Sequence, residues 1–176
     1  MSIAMVALHI RPARREDVDA LVDLNRELLQ FYGVQPPFPR VDMIRRLKAE
    51  LFVEAPTVEV MLAFAGDEAV GMLAFAEIYA VAVCRRSLFI QDIFVSKTTR
   101  GLGVGQALML ELAHIAEQRN AFQIDWTADL WNEEARRFYE TLAPVLKAEK
   151  MFYRLAGANL RQFLDGAKPP RRATVR

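Results

Sequence analysis

The run Arg100-Gly101-Leu102-Gly103-Val104-Gly105 has the residue types and spacing best suited to chemistry in this chain, and that chemistry is anion binding. Glycines let a backbone approach a ligand closely and take positive φ. The apolar residues Val104, Leu108, Leu112 and Ile115 then recur at helical spacing. The first turn of such a helix, near Val104 to Ala107, offers unpaired N–H groups and the positive end of the helix dipole. A pyrophosphate there would be held by main chain alone, with Arg100 adding a charge-assisted contact. A P-loop is excluded, because Gln106-Ala107 stand where Lys-Ser/Thr is required; the G-x-G-x-x-G dinucleotide fingerprint fails on spacing. A tight strand-to-helix turn with no ligand fits the same spacing. Elsewhere, His9 and His114 lack partners at metal spacing, and Cys84 has no Cys-x-x-Cys neighbour, so no metal site and no thiol nucleophile is expected.

The elements that must position this run follow from pattern. Residues 4–10 read as a first strand, which Arg11-Pro12 breaks. Val18, Leu21, Val22, Leu28, Leu29 and Tyr32 mark a helix from Glu16 to near Gly33, and Met43, Ile44, Leu47 and Leu51 a second over 41–52. Strands are predicted at 58–65 and 69–79, joined by the Gly66-Asp67 turn as an antiparallel hairpin, and at 87–95. After the glycine loop and its helix come a strand over 122–129, a helix over 132–142, a last strand over 151–155 and a short helix over 158–164. The order is β-α-α-β-β-β-α-β-α-β-α, an α/β chain with a mixed sheet flanked by helices. It reads as one domain over 1–165, with a disordered basic tail at 166–176.

Composition narrows the function classes. A net charge of +1 supplies no field to attract nucleic acid or an anionic membrane. No stretch reaches the roughly 20 apolar residues that span a bilayer, and the opening MSIAMVALHIRPARRE lacks the basic region and cleavage site of a signal peptide. The single cysteine permits no internal disulfide. A cytoplasmic location is expected.

Three segments together carry a resemblance. Arg-x-x-Gly-x-Gly after a strand ending in an apolar pair resembles the acetyl-CoA motif of GNAT acyltransferases. IRPARREDVDAL looks like that family's first strand and helix, and LWNEEARRFYETL like its second cofactor segment. Within the superfamily the chain is most similar to the diamine and thialysine acetyltransferase branch, through IQDIFV, the Trp131-Asn132 pair and the ending MFYRLAGANLRQFL. The resemblance covers roughly residues 8–165. It implies the GNAT acyl-CoA N-acyltransferase fold, with a mostly antiparallel sheet whose fourth and fifth strands splay apart to take the pantetheine arm of acetyl-CoA. It implies that Ile93, Phe94 and Val95 pair with that arm through their backbone. Arg100, Gly101, Leu102, Gly103, Val104, Gly105 and Gln106 would cradle the pyrophosphate, and Asn132 would touch the cofactor.

Acetyl transfer to an amine needs a neutral amine, a stabilised oxyanion and a protonated leaving thiolate. The resemblance places a thiolate-protonating tyrosine at Tyr139; taken alone, Phe138-Tyr139 on a helix is ordinary core. Backbone N–H groups near Phe94 and Val95 would hold the oxyanion. The branch usually has Glu-Asp where this chain has Gln91-Asp92. Gln91 orients a water or an amine but accepts no proton near pH 7. Strand alternation sends Asp92 to the opposite face unless a bulge intervenes. Glu77 and Asp125 are further candidates, through water. The acceptor site is expected to draw on Tyr32, Glu77, Gln91, Asp125, Trp126 and Thr127, with Asn25 and Gln35 nearby. A second departure is Leu142-Ala143-Pro144, where the family usually ends this helix with glycine.

The resulting expectation is an N-acetyltransferase using acetyl-CoA on a primary amine of a small molecule, polyamine- or lysine-like, working as a homodimer without nucleic acid or membrane partners. Two readings stand beside it: a GNAT-fold module that binds acetyl-CoA as a sensor without turnover, and acetylation of a protein amine.

Overall fold

The computed structural model describes residues 7–142 and 152–166. They fall into two compact units, 1–138 and 139–176. The first unit holds a five-stranded sheet in the order β1-β2-β3-β4-β5. The strands are β1 (Leu8–Pro12), β2 (Glu59–Ala65), β3 (Glu68–Ala80), β4 (Arg85–Val95) and β5 (Ile124–Asp125). Neighbours run antiparallel except β4 and β5, which are parallel. The helices are α1 (Val18–Phe31), α2 (Arg40–Glu50), α3 (Val104–Gln118), α4 (Glu133–Leu142) and α5 (Gly157–Gly166). The boundary between the units falls inside α4, and α5 belongs to the second unit, where all its residues are exposed.

Helices cover both faces of the sheet. On one, Leu21 and Leu24 of α1 bury against Leu62, Met72 and Phe94, with Leu47 of α2 packed at the edge. On the other, α3 lies over Gly71 of β3. A Cβ at Gly71 would stand 2.9 Å from Val104 Cγ1 and 3.3 Å from Leu108 Cδ1, so the glycine sets the approach of helix to sheet. The entry to α1 is fixed by Asp17. Its carboxylate takes a fork of hydrogen bonds from Arg11 at 2.6 and 2.8 Å and one from the Arg14 amide at 2.7 Å. These hold it below the usual carboxylate pKa, Arg11 contributing most.

Three expectations change. Pro12 does not break the first strand: it pairs with Met61 at the end of β1, an edge strand whose outer side needs no N–H donor. The strand expected over 122–129 shrinks to Ile124–Asp125. Residues 152–155, expected as a last strand, take no regular structure. Residues 4–6, Ala143-Pro144, Met151 and the tail from 167 lie outside the described residues.

Candidate active site

β4 is the strand on which the site is built, and its pairing changes along its length. It pairs with β5 only at Leu88↔Ile124 and Phe89↔Asp125. Beyond Phe89 no described strand lies on that side, so the edge from Ile90 to Val95 is open among the described residues. The register shows which peptide groups face the opening. The Ser96 N–H donates to the Val70 carbonyl at 2.9 Å, which makes Gly71↔Val95 a non-hydrogen-bonded pair. Ile93 and Val95 therefore turn their N–H and C=O groups to the open side, and Phe94 turns its own toward β3. Of the three residues expected to pair with a ligand through backbone, Ile93 and Val95 have that geometry. Phe94 instead buries its ring in the α1 core.

A bulge settles the position of Asp92. Ala74 pairs with Asp92 and Phe75 with Ile90, which leaves Gln91 as the extra residue of β4. Ile90 shares the face of Phe75, whose ring meets Arg119 at the end of α3. Asp92 shares the face of Phe94, which packs on α1. Gln91 and Asp92 are both exposed in succession, and both lie on the α1 side. Asp92 keeps contact with solvent, yet the surrounding protein desolvates its carboxyl and pushes its pKa up. Among the described residues no cation pairs with it.

The end of α1 and the entry to α4 meet beside this face. Tyr32 and Trp131 rings pack edge to face with centroids 5.6 Å apart, and Phe31 lies 5.3 Å from Tyr32 and 6.1 Å from Trp131. Burial pushes the Tyr32 phenol up, and the charges of Asp129 and Asp92 push it further; a hydrogen bond from Asn132 pulls it back. Tyr32, Asp92, Asp129 and Asn132 thus share one electrostatic neighbourhood. Asn132 also caps α4, its Oδ1 accepting the Ala135 N–H at 3.1 Å.

The glycine loop divides by role. Gly101 (φ 77°) and Gly103 (φ 81°) are left-handed, and a Cβ at either would meet nothing within 4 Å, so these two are needed for conformation and not for room. Gly105 is helical, and a Cβ there would stand 3.1 Å from the Phe138 ring. It serves the packing of α4 on α3. Val104 is core. Leu102 and Gln106 are exposed. The Ala107 N–H to Gly103 carbonyl bond, 3.0 Å, is the first i to i−4 bond of α3. The amides of Val104, Gly105 and Gln106 precede it and have no partner within the helix, and no acidic side chain occupies its first turn. Arg100 is engaged by protein. Its Nε donates to the Val95 carbonyl at 3.3 Å, its Nη1 to Glu134 at 2.9 Å, and its guanidinium lies 5.0 Å from the Phe31 ring centroid.

The other predicted residues separate. Glu77 is on the α3 side, ion-paired with Arg86 and 3.7 Å from Arg119, which also grips Glu59 at 2.6 Å. It is not brought to Asp92. Asp125 sits on β5 opposite Phe89 and accepts a hydrogen bond from Gln123. Trp126, half-buried, and Thr127, exposed, follow in irregular chain. Tyr139 is half-buried on α4, in the second unit. Sequence reasoning missed Asp129 and Glu134. The available signal for Asp129 was its place three residues before a helix-capping asparagine, where its carbonyl accepts the Asn132 N–H at 3.0 Å. No group of histidine, cysteine or acidic residues among the described residues could hold a metal ion.

Comparison with known proteins places this geometry in context. The model described as the acetyltransferase (GNAT) family matches residues 19–143. A thialysine N-epsilon-acetyltransferase of Caenorhabditis elegans is 26% identical, the match covering 85% of this chain and 92% of that one. An L-ornithine N5-acetyltransferase, NATA1, of Arabidopsis thaliana is 28% identical over 62% of this chain and 49% of its own. Among solved structures, the integron cassette protein VCH_CASS6 from the mobile metagenome of V. cholerae superposes with a TM-score of 0.80 at 29% identity, covering 91% of this chain and 98% of its own.

Proposed function

The chain belongs to the GNAT acetyltransferase family, and from that premise we propose that it transfers an acetyl group from acetyl-CoA to a primary amine of a small cationic molecule. The observation that carries the reading is the open edge of β4 running into the glycine-capped start of α3. The outward N–H and C=O of Ile93 fit an amide-bearing arm, the outward N–H of Val95, whose carbonyl accepts from Arg100, is left for the acyl oxygen, and the amides of Val104, Gly105 and Gln106 fit a diphosphate. Acetyl-CoA, when bound, supplies an activated thioester. Everything else falls to side chains and backbone of this chain.

An alkylammonium with a pKa of about 10.4 costs roughly 4–5 kcal/mol to deprotonate at pH 7. Asp92, on the exposed side of β4, accepts that proton directly or through a water that Gln91 orients. Its raised pKa makes it a better acceptor than an ordinary aspartate. The Val95 N–H donates to the developing oxyanion. Tyr139 in ARRFYETL protonates the departing sulfur. Tyr32 and Trp131 offer aromatic faces to an ammonium, and Asp129 adds a second carboxylate, so a molecule with two basic nitrogens suits the neighbourhood. The relatives named for acetylating thialysine at Nε and ornithine at N5 support the same acceptor class. A cytoplasmic setting and a homodimer belong to the same proposal.

The test is to incubate the protein with acetyl-CoA and a panel of thialysine, ornithine, polyamines and lysine-bearing peptides while following release of free thiol. Release with the small diamines is the expected result. Release only with peptides would move the acceptor to protein amines. Cofactor binding with no release for any amine would favour a sensor, the reading that Gln91 at the usual glutamate position supports. Tyr139→Phe is expected to slow turnover by about 10²-fold or more while leaving cofactor affinity unchanged.

A further inference from the structure

Val95 is the last residue of β4, and the peptide that joins it to Ser96 leads the chain toward the glycine loop. That peptide is held at both ends. The Ser96 N–H donates to the Val70 carbonyl at 2.9 Å, and the Val95 carbonyl accepts from Arg100 Nε at 3.3 Å. Ser96 is buried. Its hydroxyl donates to Glu27 of α1 at 2.8 Å, and its carbonyl accepts the Thr99 N–H at 3.0 Å. Val70 reaches this joint from β3 and Glu27 reaches it from α1. Arg100 reaches it from the side of β4 that has no strand partner beyond Phe89 among the described residues.

Arg100 is itself held. Its Nη1 donates to Glu134 of α4 at 2.9 Å, and its guanidinium lies 5.0 and 5.8 Å from the ring centroids of Phe31 and Phe94. To turn toward a diphosphate on the amides of Val104 to Gln106, the side chain would have to leave these partners. A cation already paired with a carboxylate also exerts a weaker field on a second anion. We infer that Arg100 is a positioning residue and not a phosphate ligand: its Nε–H fixes the Val95–Ser96 peptide, and with it the Val95 N–H and the turn into the glycine loop. The role assigned to Arg100 rests on the acetyl-transfer reading, which uses that N–H and that loop.

What the joint needs from residue 100 is a donor at the Nε position. The positive charge serves Glu134 and the Phe31 ring instead. Glutamine and lysine separate these two properties. Counted from Cα, the glutamine Nε2 takes the place of the arginine Nε, so Arg100→Gln keeps a donor for the Val95 carbonyl and loses the charge. Arg100→Lys keeps the charge and puts a methylene in that place. The acyl donor separates a joint from a phosphate contact in the same way. Acetyl-CoA carries the diphosphate, and S-acetylpantetheine lacks it. A residue that positions backbone affects both donors alike, whereas a phosphate ligand affects acetyl-CoA only.

The experiment measures kcat/KM of the full chain and both variants with each acyl donor, together with melting temperatures and calorimetric affinity for coenzyme A. Arg100→Lys is expected to lose about tenfold or more with both donors, and Arg100→Gln about threefold or less with both. Side-chain exchange in the unaltered, unliganded protein gives a check free of folding effects. The Arg100 Nε–H is expected to exchange about tenfold or more slowly than that of Arg137, whose side chain is 79% exposed. The reverse order of the two variants, with the loss confined to acetyl-CoA, would make Arg100 a phosphate ligand and overturn its positioning role. Losses in both variants that simply follow melting temperature would overturn it too, as would fast exchange at Nε. Those outcomes leave the acetyl-transfer reading standing. Absence of coenzyme A binding by the unaltered protein would overturn that reading and the role of Arg100 together.

Discussion

The two halves of β4 make the instructive comparison. At Leu88 and Phe89 the strand is paired on both sides, the Arg86 carbonyl just before them accepts the Phe122 N–H, and the charges nearby are paired: Arg86 with Glu77, Arg119 with Glu59 and Glu77. Among the described residues it is paired on one side only from Ile90 to Val95, and Asp92 there is desolvated with no cation paired to it. Gln91, the bulge residue, marks the change. A fully paired strand has no peptide groups left for a ligand, and a neutralised carboxylate has little drive to take a proton. The proposed function puts the chemistry where pairing stops, and substitutions in the two halves should then differ in kind.

The largest effect is expected at Asp92. Asp92→Asn should lower kcat/KM for the amine about 10²–10⁴-fold at pH 7, with calorimetric affinity for coenzyme A unchanged. The sign of the pH dependence follows from desolvation. Burial disfavours the charged carboxylate and raises its pKa above the ordinary 3.8, and the basic form is the active one. The unaltered enzyme should lose rate as pH falls through that raised value, and the asparagine variant should lack that limb. An unchanged rate in Asp92→Asn would move the base elsewhere.

A middle-sized effect separates glycines that look alike in the sequence. Gly103 is left-handed, and alanine there is disfavoured by about 1–2 kcal/mol. Strain at the start of α3 should weaken coenzyme A binding about 5–30-fold. Gly105→Ala strikes the Phe138 ring instead and should cost about 1–3 kcal/mol of stability. Thermal unfolding would show that loss, and Phe138→Leu should restore part of it. Equal losses of affinity in both variants would mean that Gly105 also belongs to the anion cradle.

Much of this was legible in the residues. Apolar spacing located α1, α2, α3 and the β2–β3 hairpin to within a residue or two, because each has one buried face. The glycine loop was legible because left-handed backbone restricts residue type. Three things were not. β5 is only Ile124–Asp125, since Phe122, Ile124, Trp126 and Thr127 all favour strand and nothing local says where pairing ends. The bulge at Gln91 exists only relative to Ala74 and Phe75 across the sheet. The grip of Glu134 on Arg100 joins residues 34 positions apart. Registers and long-range ion pairs are tertiary facts, and they decided whether Asp92 was available and whether Arg100 was free.

The smallest expected effect gives the sharpest contrast with Asp92. Glu77 and Asp92 are both acidic residues of the same two paired strands, and residue type alone ranks them equally as proton acceptors. The α3 side of the sheet holds Glu77 between Arg86 and Arg119, and its side chain is 26% exposed. Glu77→Gln removes a partly exposed charge whose neighbours keep another anion in Glu59, so the stability loss should be under about 1 kcal/mol. Because Glu77 lies on the face away from Asp92, kcat/KM should stay within about twofold of the unaltered enzyme. A tenfold fall in steady-state rate, at unchanged melting temperature, would place the proton acceptor in the closed half of β4 and reverse the assignment of the two halves.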